Sequence, residues 1–99
     1  MAETTGNGSV RSGPADLIGR NVVVDCRGWF IYAGTLESVG EHWLTLADAD
    51  LHDHRESNST RDRYIMEIAK HGVRQNRDRV LVRLDMIVSM SALDDVTIY

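Results

Sequence analysis

His42, Asp48, Asp50, His52, Asp53 and His54 crowd into one short stretch, and imidazoles and carboxylates together suit zinc or manganese. If a strand ran through this stretch, Asp48, Asp50, His52 and His54 would share one face. The spacing matches no established metal motif, however, and alternate ligands on a single unsupported strand hold coordination geometry poorly. A solvated polar loop is the better reading, so no metal and no cofactor are expected. Nucleophilic chemistry finds no better footing. The histidines and serines form no strand-to-helix elbow and no triad order. Gly6, Gly8 and Gly13 have neither a strand before them nor a helix after them to build a phosphate loop. Cys26 is the lone cysteine, excluding an intrachain disulfide, and its strand-like surroundings read as those of a small buried hydrophobe. The protein is therefore not expected to be an enzyme.

Ninety-nine residues, 42% of them hydrophobic, suffice for one modest core. No apolar run approaches the ~20 residues that span a bilayer, so no membrane partner is expected. The opening MAETTGNGSVRSG lacks a secretory hydrophobic region, which with the unpaired cysteine suggests a cytoplasmic protein. A formal charge of -4 argues against bulk attraction to nucleic acid, and no DNA sequence readout is expected. The charge is uneven. Arg61, Arg63, Lys70, Arg74, Arg77, Arg79 and Arg83 face only Asp62, Glu67 and Asp78 over the same stretch. That density suits a solvated face, an RNA backbone or an acidic protein partner.

The elements that must position these residues are mainly strands. Residues 1–13 are polar and Gly/Ser-rich and read as a disordered tail, leaving 14–99 as a single domain. Pro14 can start one helical turn, stopped by Gly19. Strands are expected over Asn21–Cys26, Trp29–Ser38 and from His42 to Ala47 or a little beyond, with Arg27-Gly28 and Gly40-Glu41 turning the chain. The second strand is apolar on both faces and must be covered on both. Gly34 inside it marks a bend or a close backbone approach. Asp48–Thr60 reads as a polar, turn-rich connection. A helix follows over Arg61–His71, capped by Ser59 or Thr60, with Asp62 placed to complete a capping box from Ser59. Ile65, Ile68 and Ala69 make its apolar stripe and Gly72 its stop. Strands over Arg79–Leu84 and Ile87–Ser91 flank a tight turn at Asp85-Met86, and Val96–Tyr99 is either a short edge strand or a loose tail.

This order resembles that of Sm-like (LSm-type) proteins. Gly19, Val22, Val24, Gly34 and Leu36 stand at the spacing of the family's first motif, with Cys26 at an apolar position and Tyr32 at a common aromatic one; Gly28 comes one residue early. The segment from Val82 to Met90 resembles the second motif. The resemblance covers about residues 14–48 and 79–91 and implies a strongly bent, five-stranded antiparallel barrel, with the helix near 61–71 inserted in an enlarged connection. An SH3-like barrel is the structural alternative.

In RNA-binding members a short loop carries Asp and then Asn, and the Asn reads uracil. Here Gly40 replaces the Asp, no Asn occurs between Gly34 and Asp48, and Trp43 takes roughly the Asn's place. Arg83 keeps the second motif's Arg, but Leu84 replaces its Gly. The resemblance thus implies RNA association without the usual uridine selectivity. Trp43 and Arg83 would together make a stacking-plus-cation pocket, with Arg79 and Arg77 as further RNA-binding candidates; the alternative makes Trp43 a barrel-end core residue and Arg83 a structural ion-pair partner. It further implies a homo-oligomeric ring through the fourth and fifth strands, at Val80, Val82, Leu84, Ile87 and Ser89. Competing readings are a protein-interaction or assembly module without RNA and, well below it, a metal-dependent enzyme built on the His/Asp residues.

Overall fold

Apolar residues two apart produce the strands they predict. In β1 (Asn21–Cys26), Val22, Val24 and Cys26 are buried on one face and Val23 on the other. The remaining strands are β2 (Phe30–Val39), β3 (Trp43–Asp53), β4 (Arg77–Arg83) and β5 (Ile87–Ala92), all antiparallel to their neighbours in the order β4-β3-β2-β1-β5. The computed structural model describes residues 13–55 and 60–98; Ser59, Tyr99 and all of the expected tail but Gly13 lie outside them.

The sheet is the expected five-stranded, bent, antiparallel one, and its fold is mainly β. It does not close into a full cylinder. β4 and β5 end the order, so each keeps one edge without a strand partner among the described residues. Bending is evident in the packing. Val22, Val24, Cys26, Leu36, Leu44, Leu46, Ala49 and Val82 form one buried cluster, joined by Val80, Ile87 and Met90, so all five strands converge on one inner face. A 3-10 turn at Pro14–Leu17 sets Leu17 against this cluster. Gly19 N–H donates to the Leu36 carbonyl at 2.7 Å and Leu36 N–H to the Arg20 carbonyl at 2.9 Å, tying the turn to β2.

The opposite face is covered too, as the two-sided β2 requires. Helix α1 (Arg61–His71) lays Tyr64 and Ile68 on Val23, Ile31, Ala33 and Leu93. Of the expected stripe only Ile68 is at the centre of the contact. Ile65 and Ala69 only flank the contact, while Tyr64 and Ile68, one turn apart, make it. Thr60 caps the helix, its hydroxyl accepting from Arg63 N–H at 3.2 Å, and Gly72 ends it at φ 88. The strand ends also need correction. Trp29 precedes β2 rather than opening it, and Leu84 leaves β4 for a 3-10 turn with Asp85 and Met86. Leu93–Asp95 forms another 3-10 turn, and Val96–Ile98 does not join the sheet.

The largest correction concerns β3, which does not stop near Ala47 but continues to Asp53. Register explains how. Ala33 pairs with Asp50 and Thr35 with Ala47, so Asp48 and Ala49 together oppose Gly34. This is a bulge, with Asp48 at φ 49, and it re-aims the strand without ending it. Gly34 is what permits it. A Cβ there would lie 2.9 Å from the Ala47 carbonyl oxygen, 3.0 Å from Ala49 Cα and 3.1 Å from Ala49 Cβ.

Candidate nucleic-acid interface

Beyond the bulge, the His and Asp residues considered as metal ligands become the seat of α1. Tyr64 Oη donates to Asp50 Oδ2 at 2.5 Å, and Asn76 Nδ2 donates to the other oxygen of that carboxylate at 2.7 Å. The His52 ring stacks on Tyr64 at 4.0 Å and 10°, its Nε2 buried with no hydrogen-bond partner among the described residues. Burial, then the bond to Asp50, pushes the Tyr64 phenol well above its ordinary range. Arg61 pairs with Asp25 and lies 3.1 Å from His54 Nε2. Asp53 points elsewhere, to Arg55, whose hydrogen bonds hold its carboxyl down to about 2. His42 immediately precedes β3, at the end away from Asp53. The described residues contain no grouping of three or more such side chains fit to hold a metal. The solvated-loop reading also fails, because Asp50 and His52 face a helix rather than open water. Tyr64→Phe, which keeps the ring and removes the donor to Asp50, is expected to lower stability by about 1–2 kcal/mol in urea unfolding, with the fold retained.

The second candidate, Trp43 with Arg83, is brought together. The two are directly opposed across the β3–β4 pair, at the end of the sheet far from the bulge. Neighbouring strands lie about 5 Å apart, so the indole and the guanidinium share one small area. Trp43 is 45% exposed, which excludes the core role. Two turns frame the pair. Gly40 N–H donates to the Trp43 carbonyl at 2.7 Å, and Leu84 N–H donates to the His42 carbonyl at 2.9 Å. Glu41, His42, Trp43, Arg83, Leu84 and Asp85 therefore line one recess. Glu41, His42 and Asp85 were not anticipated there. The only hint was that both tight turns carry charged residues, and nothing in the sequence says the turns meet. Arg83 Nη2 binds Asp85 Oδ2 at 2.7 Å, a solvent-exposed pair worth little to stability.

Arg79 and Arg77 stand farther off. Arg77 and Arg83 are six positions apart along β4, a span of about 20 Å. Arg79 is held by Glu37 through two 2.9 Å bonds from Nε and Nη2, and hydrogen bonding to Arg79 keeps the Glu37 carboxyl below its ordinary value. Arg77 Nη1 donates to the Asn76 carbonyl at 3.0 Å. Cys26 is buried; desolvation first and the Asp25 charge second raise its thiol to about 11, leaving no thiolate nucleophile at neutral pH.

Of the residues expected at the free strands, Val82 is fully inside the molecule's own core. Val80, Leu84 and Ile87 pack against that core, and Ser89 is exposed. The apolar groups that β4 and β5 do present to solvent are Leu81, 56% exposed, and Val88, 65% exposed.

No protein-family model matches the sequence, and no curated protein does. Solved structures do. The Pyrococcus abyssii Sm protein, determined in complex with a uridine heptamer, matches with a TM-score of 0.55 at 20% identity, over 82% of this chain and 99% of that one. The P. aerophilum SmAP1 heptamer matches at 0.49 and 21% identity, over 79% of this chain and 84% of that one. A heptameric archaeal Sm protein also matches at 0.49 and 21% identity, covering 79% and 91%. The fold is thus Sm-like. No helix among the described residues is long and apolar enough to cross a membrane.

Proposed function

We propose that this chain is an Sm-like binding protein that assembles into a ring and associates with single-stranded RNA, without uridine selectivity and without catalysis. The observation that carries the RNA reading is the half-exposed Trp43 set directly across from Arg83 at one end of the sheet. An indole offers a stacking face to any base, and a guanidinium beside it supplies charge and hydrogen-bond donors. The likeness in fold to a protein bound to a uridine heptamer supports the class of ligand. The absence of an Asn from the turn between β2 and β3, where Gly40 and Glu41 stand, removes the amide that reads uracil in the family this sequence resembles. The ring reading rests on the two edges of the open sheet, each an unpaired row of backbone donors and acceptors. Cytoplasmic location belongs to the same proposal.

Trp43→Ala is expected to weaken binding of a short labelled single-stranded RNA by about 1–3 kcal/mol, read by fluorescence anisotropy at low salt. Arg83→Ala is expected to weaken it too and to flatten its salt dependence. One observation favours the competing assembly module: Arg83 and Arg79 are already paired with Asp85 and Glu37, which reduces the charge available to phosphates. Absence of any binding by the unaltered protein at low salt would decide for that module.

A further inference from the structure

The recess around Trp43 is more selective than a stacking platform alone. Resting on the RNA reading above, we infer that it takes a guanine base. Two carboxylates, Glu41 and Asp85, line the recess together with Trp43 and Arg83. Carboxylates repel phosphates, so the part of an RNA that enters is a base rather than the backbone. They also discriminate between bases, because an ionised carboxylate only accepts hydrogen bonds.

Uracil presents its edge as acceptor, donor, acceptor, and places two carbonyl oxygens against those lone pairs. Adenine and cytosine each offer one amino donor flanked by a ring acceptor. Guanine alone carries both an adjacent donor pair, N1–H and N2–H2, and an adjacent acceptor pair, O6 and N7. The donor pair suits a carboxylate. The acceptor pair suits a guanidinium, the commonest specific contact to this base. Arg83 keeps a fork for it: among the described residues Asp85 takes one proton of Nη2, and the second Nη2 proton with that of Nε or Nη1 still offers an adjacent donor pair. A purine also covers more of the Trp43 indole than a single-ring base does.

The test uses the full chain carrying Trp29→Phe, so that Trp43 is the sole tryptophan. Its fluorescence is titrated with two short adenine-rich single-stranded RNAs that differ only in one central base, G or U. The G-containing RNA is expected to bind about tenfold more tightly. Arg83→Lys keeps the positive charge but lacks the planar fork, so it should cost the G-containing RNA more affinity than the U-containing RNA and bring the ratio close to one. Glu41→Gln combined with Asp85→Asn should lower the same ratio. Equal or tighter binding of the U-containing RNA would overturn the guanine assignment and leave the RNA reading standing. No response of Trp43 to either RNA, with the circular dichroism unchanged, would overturn both.

Discussion

Gly34→Ala is expected to cost about 2–3 kcal/mol of stability, and Gly34→Val to yield no soluble folded protein. A methyl group at this position meets backbone: the Ala47 carbonyl oxygen at 2.9 Å and Ala49 Cα at 3.0 Å, inside the bulge that bends β3. Such atoms do not move aside as a flexible side chain would. Overpacking a tight site by one methyl costs about 1–3 kcal/mol, and here the strands themselves must part. The branched Val side chain adds two more carbons in the same space. For a domain whose total stability is about 5–15 kcal/mol, that is a large fraction. Thermal and urea unfolding of Gly34→Ala measure the effect. A second substitution, Ala49→Gly, removes the 3.1 Å contact with Ala49 Cβ and leaves the two backbone contacts, so it should restore only part of the loss. A Gly34→Ala protein as stable as the parent would show that β2 and β3 are not pressed together there.

That glycine is also where the sequence was most informative. An isolated Gly between Ala33 and Thr35 in an otherwise apolar strand has no packing to contribute, so a close approach or a bend is the physical reason left for it. The alternation of Val22, Val24 and Cys26, and the cap-to-stop grammar of α1 from Thr60 to Gly72, were legible on the same grounds, since each depends on neighbours a few residues away. The course of β3 was not. Asp48 in a left-handed conformation reads as the start of a loop, and only its pairing opposite Gly34 reveals a bulge. What Asp50 and His52 do was equally hidden. Their partner Tyr64 lies 14 residues beyond Asp50, and two aspartates and histidines spaced two apart look the same as metal ligands or as a helix seat. Counting only aliphatic residues on α1 passed over the tyrosine that docks it. At the candidate RNA site the pair Trp43 and Arg83 was legible through the family resemblance, whereas Glu41 and Asp85 were not, because the meeting of two turns is a tertiary fact.

Leu81→Lys combined with Val88→Lys is expected to convert a ring into folded monomers. β4 and β5 are the two ends of one open sheet, so the free edge of β4 in one molecule can pair with the free edge of β5 in the next. Such a head-to-tail contact repeats until it closes. Each contact gains backbone hydrogen bonds at about 0.5–1.5 kcal/mol apiece and the burial of Leu81 and Val88 at about 1–2 kcal/mol each, against an association cost of about 4–15 kcal/mol. The balance per contact is narrow. Placing an ammonium on each strand adds a desolvation penalty of several kcal/mol if it is buried, and charged side chains on an edge strand oppose edge pairing in any case. The monomer itself should be untouched, because Leu81 and Val88 are 56% and 65% exposed and substitutions at such positions cost within about 0.5 kcal/mol. Val82, buried at 3%, or the partly buried Val80, Leu84 and Ile87 would make a poor test, since changing them disturbs the core at the same time. Light scattering coupled to size exclusion reads the mass and circular dichroism reads the fold. A parent protein that is already monomeric would remove the ring, and a ring that survives both lysines would place its contacts away from β4 and β5.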